Sequence, residues 1–182
     1  RLNIYPDGGV ARLKLLGNLD VSKLKFPNKK FDLLSVLNGS KIVACSDEHF
    51  GKAENLLLPF KSKNMGNGWE TRRRRGVGFD WVIIKLGKPG FIENFDIQTH
   101  YFKGNYPSFC SVQSYFSNAN ININSIVNSS KKWEYLIKNL ELKPHSSIKK
   151  QLSKKSKKIN YIKLNIYPDG GISRIRSTGK IV

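Results

Sequence analysis

The 182-residue chain has no apolar run of membrane-spanning length, only two cysteines, one methionine and three histidines, and 13 acidic residues against 32 lysines and arginines. Each shortage excludes something. A membrane-spanning helix needs about 20 consecutive apolar residues, so no span is expected. No charged, apolar and small-residue leader precedes the first strand-like segment, so secretion is not expected either. Cys45 and Cys110 lack C-x-x-C or metal-ligand spacing and sit in apolar, strand-like surroundings. Buried reduced thiols in a cytoplasmic protein are therefore expected. The scarcity of acids leaves a net charge of +19, which ordinarily raises nucleic acid as a partner. Here the lysines are spread along the chain among asparagine-rich stretches such as residues 118–124, as codon bias would leave them. Only residues 149–158 (KKQLSKKSKK) form a compact basic cluster, without interleaved aromatics for base stacking. A solvated loop is expected there, and nucleic acid is not expected as a partner.

What is present is a repeat. The octapeptide LNIYPDGG occupies residues 2–9 and again residues 164–171. The match continues, with Val10-Ala11-Arg12-Leu13-Lys14 answering Ile172-Ser173-Arg174-Ile175-Arg176, apolar for apolar and cation for cation. The separation is domain-sized, and 39% hydrophobic content over this length fills one core. Residues 1–17 are thus expected to be the terminal β-hairpin of a preceding repeat, residues 18–30 a linker and residues 31–182 one whole repeat, within a longer protein.

Strand signals dominate. Strands are expected at residues 41–46, 81–86, 95–102 and 109–116, while 133–142 fits strand or helix. Turn chemistry separates them at Asn38-Gly39, Gly66-Asn67-Gly68, Gly76-Val77-Gly78, Lys88-Pro89-Gly90 and Gly104-Asn105. In each copy Pro-Asp-Gly-Gly reads as a hairpin turn, followed by an alternating, half-exposed arm. Many short strands with glycine-rich turns predict an all-β fold, a jelly-roll β-sandwich.

Three clusters carry candidate chemistry. Residues 64–75 (NMGNGWETRRRR) set Glu70 and four guanidinium groups behind a glycine loop, apt for a small planar anion. In a strand Arg72 and Arg74 would share one face and Arg73 and Arg75 the other. Residues 46–55 offer Asp47, Glu48 and His49 at a strand end, as metal ligands, proton carriers or a turn cap. Residues 98–107 place His100 and Lys103 beside a glycine turn, a usual position for functional loops.

These motifs, SDEHFGKAENLL (residues 46–57), NMGNGWETRRRR (64–75), DWVIIKLG (80–87), HYFKGNYP (100–107) and both copies of LNIYPDGG, together resemble the allantoicase family. The resemblance implies galactose-binding-domain-like jelly rolls in a two-repeat hydrolase of purine catabolism, acting on carbon–nitrogen bonds of linear amidines and converting allantoate to ureidoglycolate and urea. With that substrate, Arg72 and Arg74 are expected as carboxylate anchors, with Thr71, Lys103 and Asn105 as further substrate contacts. Glu70 is expected as acid or base, with Glu48 and His49 beside it. A divalent metal is left open, Asp47 and Glu48 being its candidate ligands, and a homo-oligomer is expected. The chain departs from the family where Asn67 and Gln98 replace acids and where Pro59-Phe60-Lys61 replaces Pro-Gly-Arg. A catalytically degenerate sandwich binding a small anion or a carbohydrate is the alternative.

Overall fold

The computed structural model describes residues 1–15, 17, 19–119 and 121–182. Its strands are β1 (Phe31–Asp32), β2 (Lys41–Cys45), β3 (Trp69–Glu70), β4 (Asp80–Gln98), β5 (Phe109–Tyr115), β6 (Glu134–Glu141), β7 (Ser147–Gln151), β8 (Ile159–Tyr167), β9 (Gly171–Ile172) and β10 (Arg174–Ile181). The helix α1 (Ile123–Ser129) lies between β5 and β6. The segment compatible with strand or helix is therefore β6, a strand.

The pairings among the described residues are antiparallel; β3 and β9 form a small two-stranded sheet of their own, and the rest sort into two layers. In one layer the order is β2, the first part of β4, β8, β5 and β6. In the other it is β1, β10, the second part of β4 and β7. Val82, Ile84, Val112, Leu164 and Ile166 of the first layer meet Ile92, Phe95, Ile97 and Ile175 of the second in one fully buried core. The expected β-sandwich is the fold.

β4 belongs to both layers. Residues 80–85 pair with β2 and β8, residues 90–98 with β10, and residues 94–98 with β7. Lys88-Pro89-Gly90, expected as a turn between strands, lies inside this continuous strand where it passes from sheet to sheet. A bulge opposite Thr178/Gly179 shifts the inward face from Val82 and Ile84 to Phe95 and Ile97. The strand ends at Gln98 rather than continuing to Phe102, because the Phe102 amide turns back to the Thr99 carbonyl at 3.0 Å.

The Pro-Asp-Gly-Gly of residues 168–171 does not close a hairpin. β8 and β10 flank β4 in different sheets, so this segment is a corner between layers. Nor is the arm that follows it half-exposed, for Ile172 to Ile175 are buried and Arg176 is half-buried; β8, which precedes it, is itself buried from Ile159 to Ile166. Its outer face is covered too, where Tyr161 packs with Ile83, Ile126 of α1 and Trp133.

The first copy behaves differently. Residues 1–15 form no strand, so the expected hairpin is absent from the described part of residues 1–17; Leu16 and Asn18 lie outside the described residues. Leu2, Ile4, Val10 and Leu13 are 46–60% exposed, whereas their counterparts Leu164, Ile166, Ile172 and Ile175 are 0% exposed. In the second copy β4 and β5 supply the strands that β8 and β10 pair with; among the described residues the first copy has no such neighbours. Among the described residues of the linker expected at residues 18–30, only the short turn Val21–Lys23 is regular, and Phe26 packs on Phe31 at 5.7 Å. No helix among the described residues is long and apolar enough to cross a membrane.

Candidate functional site

Antiparallel pairing brings the end of β2, the start of β4, the end of β8 and the start of β5 to one pole: Cys45 faces Val82, Asp80 faces Ile166, and Phe109 faces Tyr167. The end of β4 returns to the same pole, with Gln98 opposite Arg174 and Ser147. All three sequence clusters and the Pro-Asp-Gly-Gly corner therefore converge.

The four arginines are not in a strand, so alternation does not decide where they point. Their backbone is pinned by carboxylates and by the corner instead. Thr71 N–H donates to Gly170 O at 3.2 Å, and Thr71 Oγ1 accepts from Gly170 N–H at 3.1 Å. Arg72 N–H donates to Asp47 Oδ2 and Arg74 N–H to Asp169 Oδ2, each at 2.7 Å. Arg72 Nε and Nη2 both reach Asp47 Oδ1 at 3.1 Å. Arg74 Nη2 pairs with buried Asp80 at 2.5 Å, an oxygen that also accepts from Ser46 Oγ at 2.9 Å. Arg74 Nε is buried without a hydrogen-bond partner among the described residues.

Between these groups lies a cleft of 420 Å³ lined by Ser46, Asp47, Arg72 to Arg75, Gly76 and Asp80. Both carboxylates are already matched, while Arg73 and Arg75 make no ion pair among the described residues. The space is net cationic and suits an anion. Desolvation opposes ionisation of Asp47, but the Arg72 and His49 amides and the Arg72 guanidinium outweigh it, holding the carboxyl below its usual range.

Glu70 does not line this cleft. It is half-buried on β3, and its Oε1 accepts a short hydrogen bond from Asn105 Nδ2, which also lies 3.4 Å from Met65 Sδ. The Gly51 bridge fixes its backbone: Phe50 and Gly51 amides donate to Glu70 O, and Glu70 N–H returns to Gly51 O at 3.2 Å. Gly51 must be glycine, since a Cβ there would stand 2.3 Å from the Gly68 carbonyl oxygen. Asn105 comes from the loop after β4, held where His145 Nδ1 accepts from Tyr101 N–H at 2.8 Å and the His100 and His145 rings meet edge-on at 5.6 Å.

The other expected residues are placed apart. Glu48 caps the turn Ala53–Leu57 through the Ala53 amide at 3.1 Å and pairs with Lys52 at 2.7 Å; chiefly that Lys52 bond lowers its pKa. His49 is exposed and packs edge-on against Phe50. Lys103 is exposed and makes no ion pair among the described residues, and Thr71 is buried in the corner. No group of three or more His, Cys, Asp or Glu among the described residues could hold a metal ion. Asp47 and Glu48, the candidate ligands, each already hold a cation, Arg72 and Lys52.

The sequence left Arg174 unassigned. It is fully buried, donating to Phe60 O at 2.8 Å, to Asn67 O and Oδ1 at 2.6 Å each, and to Ser173 O at 2.5 Å. Burial, with Arg176 nearby, lowers its pKa to about 10. Its signal was the cation shared by Arg12 and Arg174. Asp169, shared with Asp7, was hidden in an apparent turn. Asn67 holds this buried guanidinium, and Gln98 donates to Asp96 at 2.7 Å.

The family profile described as "Allantoicase repeat" matches residues 31–182. A probable allantoicase from Stutzerimonas stutzeri (strain A1501) is 45% identical over 186 residues, covering 100% of this chain and 55% of that protein. One from Acinetobacter baylyi is 42% identical over 186 residues, covering 100% of this chain and 54% of the relative. The chain thus spans about half the length of the curated relatives it matches. The crystal structure of allantoicase from Saccharomyces cerevisiae superposes with a TM-score of 0.73 at 35% identity, over 85% of this chain and 45% of that one. A family 32 carbohydrate-binding module from Streptococcus pneumoniae, at 12% identity and a TM-score of 0.59 over 82% of this chain and 100% of the module, shares the fold alone. With its β-sandwich and a repeat match from residue 31 to residue 182, the chain belongs to the allantoicase family.

Proposed function

We propose that the protein containing this chain hydrolyses allantoate to ureidoglycolate and urea. The observation that carries this is the guanidinium-lined cleft at the pole where the family's motifs converge. Allantoate bears one carboxylate and two ureido arms on a central carbon. Arg73 and Arg75, free of ion pairs among the described residues, with Arg72 and Arg74 aimed by Asp47 and Asp80, would hold the carboxylate by two-pronged hydrogen bonding. The bond from the central carbon to one ureido nitrogen breaks, water's oxygen joins the carbon, and a proton passes to the departing urea nitrogen. Glu70, steadied by Asn105, is the acid or base of that transfer. Asn105 and Lys103 lie on the loop that could reach the ureido groups, while Thr71 braces the corner rather than touching substrate. Glu48 and His49 shape the neighbouring turn.

The same proposal takes residues 1–17 as the end of a preceding repeat, residues 18–30 as a linker, and the whole as a cytoplasmic homo-oligomer with reduced thiols. The binding-only alternative rests on the acids missing at positions 67 and 98, but the side chains there hold Arg174 and Asp96.

The test is urea release from allantoate by this chain and by the longer protein, each with a Glu70→Gln control. Loss of about a hundredfold or more in the control supports Glu70 as the proton carrier. Undiminished release removes it. Arg73→Ala with Arg75→Ala should raise KM, and an unchanged KM would take the carboxylate out of this cleft.

A further inference from the structure

At the opposite pole, the end of β5, the start of β6 and the segment leading into β8 enclose a cavity of 870 Å³. Its lining includes four aromatics: Tyr115 stacks on Trp133 at 5.2 Å, and Phe116 and Tyr135 also line the space. Its polar lining is basic. Lys132, Lys154, Lys155, Lys157 and Lys158 face one carboxylate, Glu134, and that is already paired with Lys157 at 2.9 Å. The other four make no ion pair among the described residues. Two lie over rings instead, Lys155 over Phe91 at 4.1 Å and Lys158 over Phe116 at 4.9 Å. In the sequence the lysine run had no aromatics of its own. The fold supplies them from β4, where Phe91 lies just outside the cavity, and from the end of β5 and the start of β6.

Ammonium groups gathered around one space repel each other, and a bound anion relieves that repulsion. The exposed ring of Tyr135 among them offers a face to a planar group, and the volume falls in the range of small-molecule pockets. We propose that this cavity binds a nucleotide-like ligand, a planar heteroaromatic ring carrying two or three phosphates. Single-stranded nucleic acid fits less well, because these lysines converge on a bounded space rather than tracking a groove. The inference stands apart from allantoate chemistry, since a chain inactive on allantoate could still bind here.

The experiment is calorimetric titration of the chain with ADP, inorganic pyrophosphate, adenosine and a short oligothymidylate, at low and high salt, with tryptophan fluorescence followed in parallel. ADP should bind saturably and quench Trp133, with affinity falling as salt rises. Adenosine and pyrophosphate should each bind about tenfold more weakly or worse. The double variant Lys154→Gln, Lys155→Gln should weaken ADP about tenfold without moving Tm, and Tyr135→Ala should weaken ADP while sparing pyrophosphate. Absence of saturable ADP binding overturns the proposal, as does ADP binding indifferent to both variants. Pyrophosphate binding as tightly as ADP would reduce the cavity to a charge cluster. Oligothymidylate binding more tightly than ADP would make nucleic acid the ligand, and either result rejects a nucleotide site.

Discussion

A buried guanidinium without a carboxylate persists only where its donors are met, and Arg174 meets them with carbonyl and amide oxygens from residues 60, 67 and 173. Arg174→Met would leave those oxygens buried and unmatched, so the urea midpoint should fall by an equivalent of at least about 3 kcal/mol. Asn67→Asp should do the reverse by about 1 kcal/mol, because it gives the guanidinium a counter-charge. That new acid's pKa would be depressed, so its contribution should be full above about pH 4 and vanish as pH falls through the folded value. The Asp47 clamp on Arg72 follows the same sign: it is complete at neutral pH and opens only in strong acid. An NMR titration of the Asp47 carboxyl should give a midpoint below the 3.8 usual for aspartate, and a midpoint at or above it would refute the clamp. Burial drives the Cys45 thiol up to about 11, assisted by Glu48, and the Cys110 thiol up to about 12. Native chain should therefore resist iodoacetamide at pH 8, with both thiols labelled once it is unfolded.

Among the elements, β3 carries Glu70 on two residues of strand and depends on close backbone contact for its place. Gly51→Ala should push β3 off its bridge, costing about 2 kcal/mol in chemical denaturation and loosening the Glu70–Asn105 bond. The strands themselves were legible because apolar residues alternate or run together at 41–46, 81–86 and 109–116. Their partners were not. Alternation after Pro-Asp-Gly-Gly suits a hairpin arm and an inter-sheet corner equally, and only β4, distant in sequence, separates the two. Lys88-Pro89-Gly90 likewise reads as a turn, yet serves as the bend of one strand passing between sheets. The asparagine-rich stretch looked like composition alone, yet Asn122 caps α1 by accepting from Ser125 N–H at 2.9 Å, and Ile126 seals the outer face of β8. Part of that stretch, Asn120, lies outside the described residues.

For the whole molecule, the repeat told more than composition did. It announced a second copy of the closing strands, and the structure gives the two copies opposite fates: one fully packed, one with its apolar residues in solvent. Hydrogen exchange should show amides of residues 1–15 unprotected in this chain and protected when the preceding half is present; protection in the short chain would mean that the segment docks on this sandwich. Of the candidate site, the sequence singled out the arginine run but not the end of the sandwich at which it lies. It could not show which guanidiniums were spoken for, because Asp47, Asp80 and Asp169 reach the arginine run from three separate elements. β4 leaves the arginine pole in one sheet, bends beside the lysine-rich cavity and returns in the other, so its two ends are Asp80 and Gln98. It works as a hoop of fixed circumference. A residue added between Leu86 and Gly90 would have no loop to swell into and would displace the register of one sheet against the other, so a small change at the far end should be felt as misalignment among the arginines.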